Sequence, residues 1–227
     1  MDWYPLADRR HVATKNGGTM KGGGKYATFH VTVGTGYNPN TTLYYGHTSW
    51  PHMTIDRDGT AYQHLPASVA GRALVNKGLR FGQTNRTGDI HFQIEVVSNP
   101  VSPQYPTSTH PTNAQKATLM RVAYWLEREH GVPIAYPDRV AGSYTEANEA
   151  SFRYTHSEID SYNGWLGHQH WVENDHWDPG YIRITDIVEE QEMAVLGEER
   201  LTALIDFVDS GKLAWISELI DGFSEAG

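Results

Sequence analysis

Three short stretches share one pattern, and it restricts the fold more than any other feature of the sequence. In Tyr26–Val33 (YATFHVTV), Phe29, Val31 and Val33 alternate with Thr28, His30 and Thr32. In His52–Asp56, Met53 and Ile55 alternate with His52 and Thr54. In Asp89–Val97 (DIHFQIEVV), Phe92, Ile94 and Val96 alternate with His91, Gln93 and Glu95. Successive side chains on a strand point to opposite faces, so each stretch reads as a strand with one apolar face and one face carrying His or Glu. If the three strands share a sheet, its second face is a polar wall of ionisable groups. A half-solvated antiparallel sheet would give the same alternation. A solvated face usually carries Lys, Glu and Thr, however, and three histidines there point towards a site.

The rest of the chain supplies the partners of such a sheet. Arg57-Asp58-Gly59 between His52–Asp56 and Thr60–Leu65 favours a tight hairpin turn. Gly34–Ser49 reads as a loop rich in Gly, Asn and Thr. Thr112–His130 reads as a helix: Thr112 and Gln115 fit a capping box, Leu119, Val122, Ala123 and Leu126 recur at helical spacing, and Gly131 ends it. Pro133–Asn163 shows little periodicity, and long connections of that kind are often functional. Strands before and after a helix predict an α/β or α+β fold, with helices packed on a central mixed sheet. The division expected is an irregular segment over 1–25, a main domain over 26–188 and an acidic helical extension over 189–227. In that extension Leu201, Leu204, Ile205 and Val208, and again Ile216, Leu219, Ile220 and Phe223, predict two amphipathic helices around Gly211. They are expected to pack on the main domain or to pair between chains.

Composition closes several doors. No apolar run is long enough to span a membrane. Cysteine is absent, so disulfides, thiolate metal sites and a cysteine nucleophile are excluded. The net charge of -9 argues against nucleic-acid binding, and nearly all of it falls in the last 39 residues, with ten acidic and two basic side chains between Glu189 and Gly227. The opening MDWYPLADRR lacks the basic start and apolar run of a secretory signal. The 12 histidines are the excess that invites a search for a metal or proton-transfer site.

The densest such segment is Gly167-His168-Gln169-His170-Trp171-Val172-Glu173-Asn174-Asp175-His176-Trp177-Asp178-Pro179-Gly180. Three histidines and Asp178 in this span offer N and O ligands, and the Asp-Pro-Gly turn could aim that carboxylate. Taken with His30, the hairpin HMTIDRDGTAYQ from His52 to Gln63, and Gln93-Ile94-Glu95, the segment resembles the type 2 N-acetylmuramoyl-L-alanine amidases, which share their fold with peptidoglycan recognition proteins. The ordered set carries the resemblance over about residues 26–184. Asn174-Asp175-His176-Trp177 before Asp178-Pro179-Gly180 looks most like endolysins of phages infecting actinobacteria.

The resemblance implies one zinc ion on His30, His168 and Asp178, with an open position for water, which zinc acidifies to a pKa of about 7. It implies that Glu95 carries the proton from water to the leaving amine and that His176, where many relatives have Lys, stabilises the oxyanion or donates a proton. His170 would support the ligands without binding the ion. His52 is expected to line the groove, and Arg72 to meet a carboxylate of the peptide stem. Trp50, Trp165, Trp171 and Trp177 fall near the same segments. The function implied is cleavage of the amide between N-acetylmuramic acid and L-alanine in bacterial peptidoglycan. The setting implied is a phage endolysin held in the host cytoplasm until lysis. Three rivals remain open: a cytosolic muropeptide-recycling amidase, a non-catalytic peptidoglycan-binding protein, and a purely structural metal site closed by a fourth ligand such as His170.

Overall fold

The computed structural model describes residues 1–10, 12–13, 15–34, 50–75, 84–102, 111–149, 151–172 and 174–209. Two compact units divide the chain, Met1–Val188 and Glu189–Gly227.

The first unit is built on a five-stranded sheet in the order β3-β2-β4-β1-β5. Its strands are β1 (Lys25–Val31), β2 (Met53–Ile55), β3 (Ala61–Gln63), β4 (Ile90–Val96) and β5 (Gly164–Gly167). The pairs β1–β4, β1–β5 and β2–β4 are parallel, and only the hairpin β2–β3 is antiparallel. The sheet is therefore mixed, as expected, but it is not the half-solvated antiparallel alternative, and its two faces are both covered. Parallel pairing needs crossovers rather than tight turns, which brings distant segments side by side.

Register sorts the alternating side chains into the two faces foreseen. Ala27, Phe29 and Val31 pair with Phe92, Ile94 and Val96, and Met53 with Ile94. This apolar face is buried in one cluster with Leu119, Val122, Ala123 and Leu126 of α1 (Asn113–His130). On the opposite face Thr28 pairs with Gln93, and both His30 and Thr54 pair with Glu95. Val33 does not continue the strand: β1 ends at Val31, and Val33 is exposed with a φ of 51°.

Local chemistry fixes the ends. Thr112 accepts from the Gln115 backbone N–H while the Gln115 side chain accepts from the Thr112 N–H, the reciprocal cap that satisfies two orphan donors of α1. Gly131 takes the left-handed conformation that closes the helix, with φ 68°. The hairpin turns at Gly59, whose N–H donates to the Asp56 carbonyl. Two short helices, α2 (Tyr144–Ala147) and α3 (His156–Ser161), lie in the connection before β5. The amino-terminal segment has little regular structure but is pinned to the body. Tyr4 is buried beside Trp125 at 5.6 Å, Asp8 bridges Tyr62 and Thr19 bridges Val69.

Helix α4 runs over Ile184–Asp209, and its early residues Ile184, Ile187 and Val188 are buried in the core. It begins well before the stretch expected to open the extension. The second expected helix, Ile216–Phe223, lies outside the described residues, as do Gly211 and nearly all of the expected Gly34–Ser49 loop. Among the described residues no helix is long and apolar enough to cross a membrane.

Candidate metal centre

The polar face gathers three of the singled-out side chains at one point. His30 comes from the end of β1, His168 from the single helical turn after β5, and Asp178 from the loop that follows. His30 Nδ1 and His168 Nδ1 face each other at 3.0 Å. The Asp178 carboxylate lies 3.7 Å from His30 Nδ1 and 3.3 Å from His168 Nδ1. All three residues are buried, and one donor atom from each lies within 4.8 Å of the others.

Backbone design explains the convergence. Because β1 and β5 are adjacent and parallel, their carboxyl ends emerge together, and His168 follows Gly167, the residue paired with Phe29. The chain then returns through Asp178-Pro179-Gly180. Gly180 has φ 75°, and a Cβ there would collide with the Val101 backbone, so only glycine fits this turn. Gln169, wholly buried, locks the turn: its backbone N–H donates to the Asp178 carbonyl, its side-chain amide donates to the Gly180 carbonyl, and its Oε1 accepts from Ala141.

Electrostatics favour a cation at this point. Burial, followed by the neighbouring His168, holds the His30 ring well below its ordinary pKa, so it is neutral with a lone pair to offer. Burial would raise Asp178, but His168, His176 and His30 outweigh it and keep the carboxyl well below its usual range. Two imidazoles and an anionic carboxylate are thus clustered out of water. Tetrahedral zinc with bonds of about 2.0–2.2 Å to N and O needs donor atoms roughly 3.3–3.5 Å apart, close to the separations found. His30 Nε2 is buried without a hydrogen-bond partner, so that ring is not held there for a second polar contact.

An open pocket with about 580 Å³ of empty space leads to this cluster. Glu95, His176, Ala73 and Thr32 line it with the three donors. Glu95 stands opposite His30 in the sheet register, one strand away. Burial and then the nearby Asp178 push its carboxyl well above the usual carboxylate value. The His176 ring stacks on His168 at 4.1 Å between centroids and 8° between planes, with its Nδ1 3.5 Å from Asp178. Its side chain is 55% exposed, and the hydrogen bond to Asp178 raises its pKa. Glu95 and His176 thus flank the three donors on the accessible side.

A scan of family models decides the lineage: the N-acetylmuramoyl-L-alanine amidase family (Amidase_2) matches residues 22–181. The chain belongs to that family. No curated protein matches it significantly. Among solved structures, similar ones include a selenomethionine derivative of AmpD, at 16% identity and TM-score 0.47, covering 83% of this chain and 96% of that one. Another is the Ph2119 endolysin of the Thermus scotoductus MAT2119 bacteriophage, at 13% identity and TM-score 0.45, covering 78% and 90%. A third is the endolysin amidase LysCS from Clostridium intestinale URNW, at 18% identity and TM-score 0.40, covering 58% and 79%.

Other expected residues fall elsewhere. His52 does not line the pocket. It is wholly buried, its Nε2 bonds the Val69 carbonyl, its Nδ1 accepts from the Gln93 N–H, and burial lowers its pKa to about 4. Arg72 precedes the lining residue Ala73, is itself half-buried, and is not part of the pocket wall. His170 is buried with both nitrogens occupied, Nδ1 by the Gly167 N–H and Nε2 by the Arg139 carbonyl, so it steadies the turn carrying His168. Trp165 and Trp171 are buried in the core, and Trp50 and Trp177 do not line the pocket.

Several contributors have no role in the sequence reading of the site. Arg153 donates to the carbonyls of Gln169 and His176, tying together the two segments that carry His168 and His176. Asn85 and Gln93 hold the 73–74 backbone, with Gln93 accepting from Ala73 and Asn85 exchanging bonds with Leu74. Asn174 meets the far side of His168 at 3.2 Å.

Proposed function

We propose that this chain hydrolyses the amide between N-acetylmuramic acid and L-alanine in bacterial peptidoglycan, using one zinc ion held by His30, His168 and Asp178. The observation that carries the reading is the convergence of two Nδ1 atoms and a buried carboxylate beside Glu95, at the base of an open pocket, in a member of the amidase family. When bound, zinc supplies a Lewis acid that polarises a carbonyl and brings the pKa of water near neutrality. Glu95, half-buried and reluctant to ionise, takes the proton of the attacking water and delivers it to the nitrogen of the leaving L-alanine. His176 overlies His168 on the exposed side and donates a hydrogen bond to the carbonyl oxygen as negative charge builds on it. The structural-metal rival needs a fourth protein ligand, and His170 has both nitrogens committed to backbone groups instead.

Digestion of purified peptidoglycan with and without chelator tests the reading. New L-alanine amino termini are expected, and they should disappear when the metal is stripped and return with zinc. Reducing sugar ends instead would mean glycoside cleavage and would refute it.

We also propose that the protein acts as a phage endolysin, held in the host cytoplasm before lysis. The Asn174-to-Gly180 wording supports an actinobacterial host. Comparing intact wall with small soluble muropeptides separates this role from muropeptide recycling, since an endolysin should favour the wall.

A further inference from the structure

The side-chain amide of Asn174 has an orientation that its neighbours dictate. Its Oδ1 lies 2.9 Å from the Val75 backbone N–H, which can only donate, and its Nδ2 lies 3.3 Å from the Val172 carbonyl, which can only accept. The oxygen and nitrogen of the amide are therefore settled without reference to any histidine. The same Oδ1 is 3.2 Å from His168 Nε2. An amide oxygen cannot donate, so His168 Nε2 must carry the proton, and in the neutral ring Nδ1 is then a bare lone pair.

We propose that Asn174 is a positioning residue for His168: its side-chain oxygen fixes the ring proton on Nε2 and so presents an unprotonated Nδ1 to His30 and Asp178.

Two further observations agree. The two Nδ1 atoms sit 3.0 Å apart, which requires one donor and one acceptor. With the His168 proton on Nε2, His30 Nδ1 is the donor in the metal-free protein and His30 Nε2 is a bare lone pair; an ion bound by both Nδ1 atoms would displace that His30 proton. His30 Nε2 is buried with no partner, a place where a lone pair costs less than an N–H. Asn174 is itself wholly buried, so water does not replace its bonds. The two histidines are thus held differently: His168 has a fixed remote partner and His30 has none. Asn174 also reaches Val75, two residues from Ala73 of the pocket wall, and so links the donor cluster to the segment beside it. The consequence for catalysis rests on the zinc amidase reading, but the proton assignment does not.

The test is long-range ¹H–¹⁵N spectroscopy of histidine rings in the metal-free protein, with zinc affinity measured in parallel by competition with a chromogenic chelator. Wild type should show His168 wholly as the Nε2–H tautomer and His30 as the Nδ1–H tautomer. Asn174→Leu should give a mixed His168 signal and bind zinc about 10–100-fold more weakly. Asn174→Asp, which keeps the acceptor, should restore the tautomer. Nδ1–H on His168 in the wild type would overturn the inference whether or not the leucine variant folds. So would a leucine variant with an unchanged tautomer and unchanged affinity. If the wild type binds no divalent ion while His168 shows the expected tautomer, the zinc reading falls and the assignment of Asn174 stands.

Discussion

Replacing Glu95 by glutamine separates proton transfer from metal binding, because the variant keeps the shape of the side chain and removes only its ability to ionise. Glu95 is not among the three donors, and it lies one strand from His30 on the pocket floor. A positioned general acid–base group contributes about 10²–10⁴ in rate, so Glu95→Gln should lower kcat by that factor, or about 3–5 kcal/mol of barrier. KM and zinc content should change little. Stability should move the other way. The Glu95 carboxyl has its pKa raised by burial and by Asp178. A raised pKa means that its neutral form suits the fold: its contribution is fully present below the unfolded value and is lost as pH rises through the folded value. In the metal-free wild type the ionised form is therefore disfavoured, because it would sit in a half-buried place where no described residue donates a hydrogen bond to it. Relief of that cost, of order 1 kcal/mol, should raise the melting temperature of metal-free Glu95→Gln by about 2–4 °C. The gain should vanish near pH 4. Release of amino termini from peptidoglycan gives the rate, and thermal melts of metal-free protein at pH 4 and pH 8 give the stability. A variant that keeps more than about a tenth of the wild-type kcat, against the smallest factor expected of such a group, would refute the role of Glu95. A variant that melts lower at pH 8 would refute the electrostatic reasoning.

Three other expectations follow from the same geometry. The buried His52, His91 and His170 have pKa values lowered by burial to about 4, 3 and 4. The unfolded chain therefore binds more protons below about pH 6.5, and urea denaturation of the metal-free protein should show stability falling by several kcal/mol towards pH 4.5; a flat profile would contradict this. Arg153→Ala removes the donors to the Gln169 and His176 carbonyls, each worth about 1.5–3 kcal/mol for a charged donor, and should lower both the melting temperature and kcat, whereas unchanged kcat would show that His176 does not need the clamp. Truncation from residue 190 onward should lower the wall affinity, or the solution mass by more than the segment removed, if the acidic extension packs on the main domain or pairs between chains, and sedimentation with a wall-binding assay checks it; no change in either would defeat both ideas.

Much of this was legible because its physics is local. Period-two alternation placed His30 and Glu95 on one face, and the register later set them opposite each other. The Thr112–Gln115 cap and Gly131 fixed both ends of α1. What escaped was non-local or too short to show a period. Strand β5 has four residues, GWLG, and α2 and α3 have four and six, so none supports a periodicity argument. His52 has the same alternating position as His30, but it sits under the 64–72 backbone rather than at an open strand end, and only the tertiary crossing distinguishes them. Arg153 and Asn174 act through contacts with backbone carbonyls and a ring nitrogen, which leave no trace in spacing or hydropathy.

The claim on which the account rests is that His30, His168 and Asp178 hold one ion and leave it a free position. Diffraction from zinc-soaked crystals on both sides of the zinc absorption edge measures this directly. One anomalous peak is expected, within about 2.0–2.2 Å of both Nδ1 atoms and an Asp178 oxygen, with no other protein ligand. A peak elsewhere, or one closed by a fourth side chain, would contradict it.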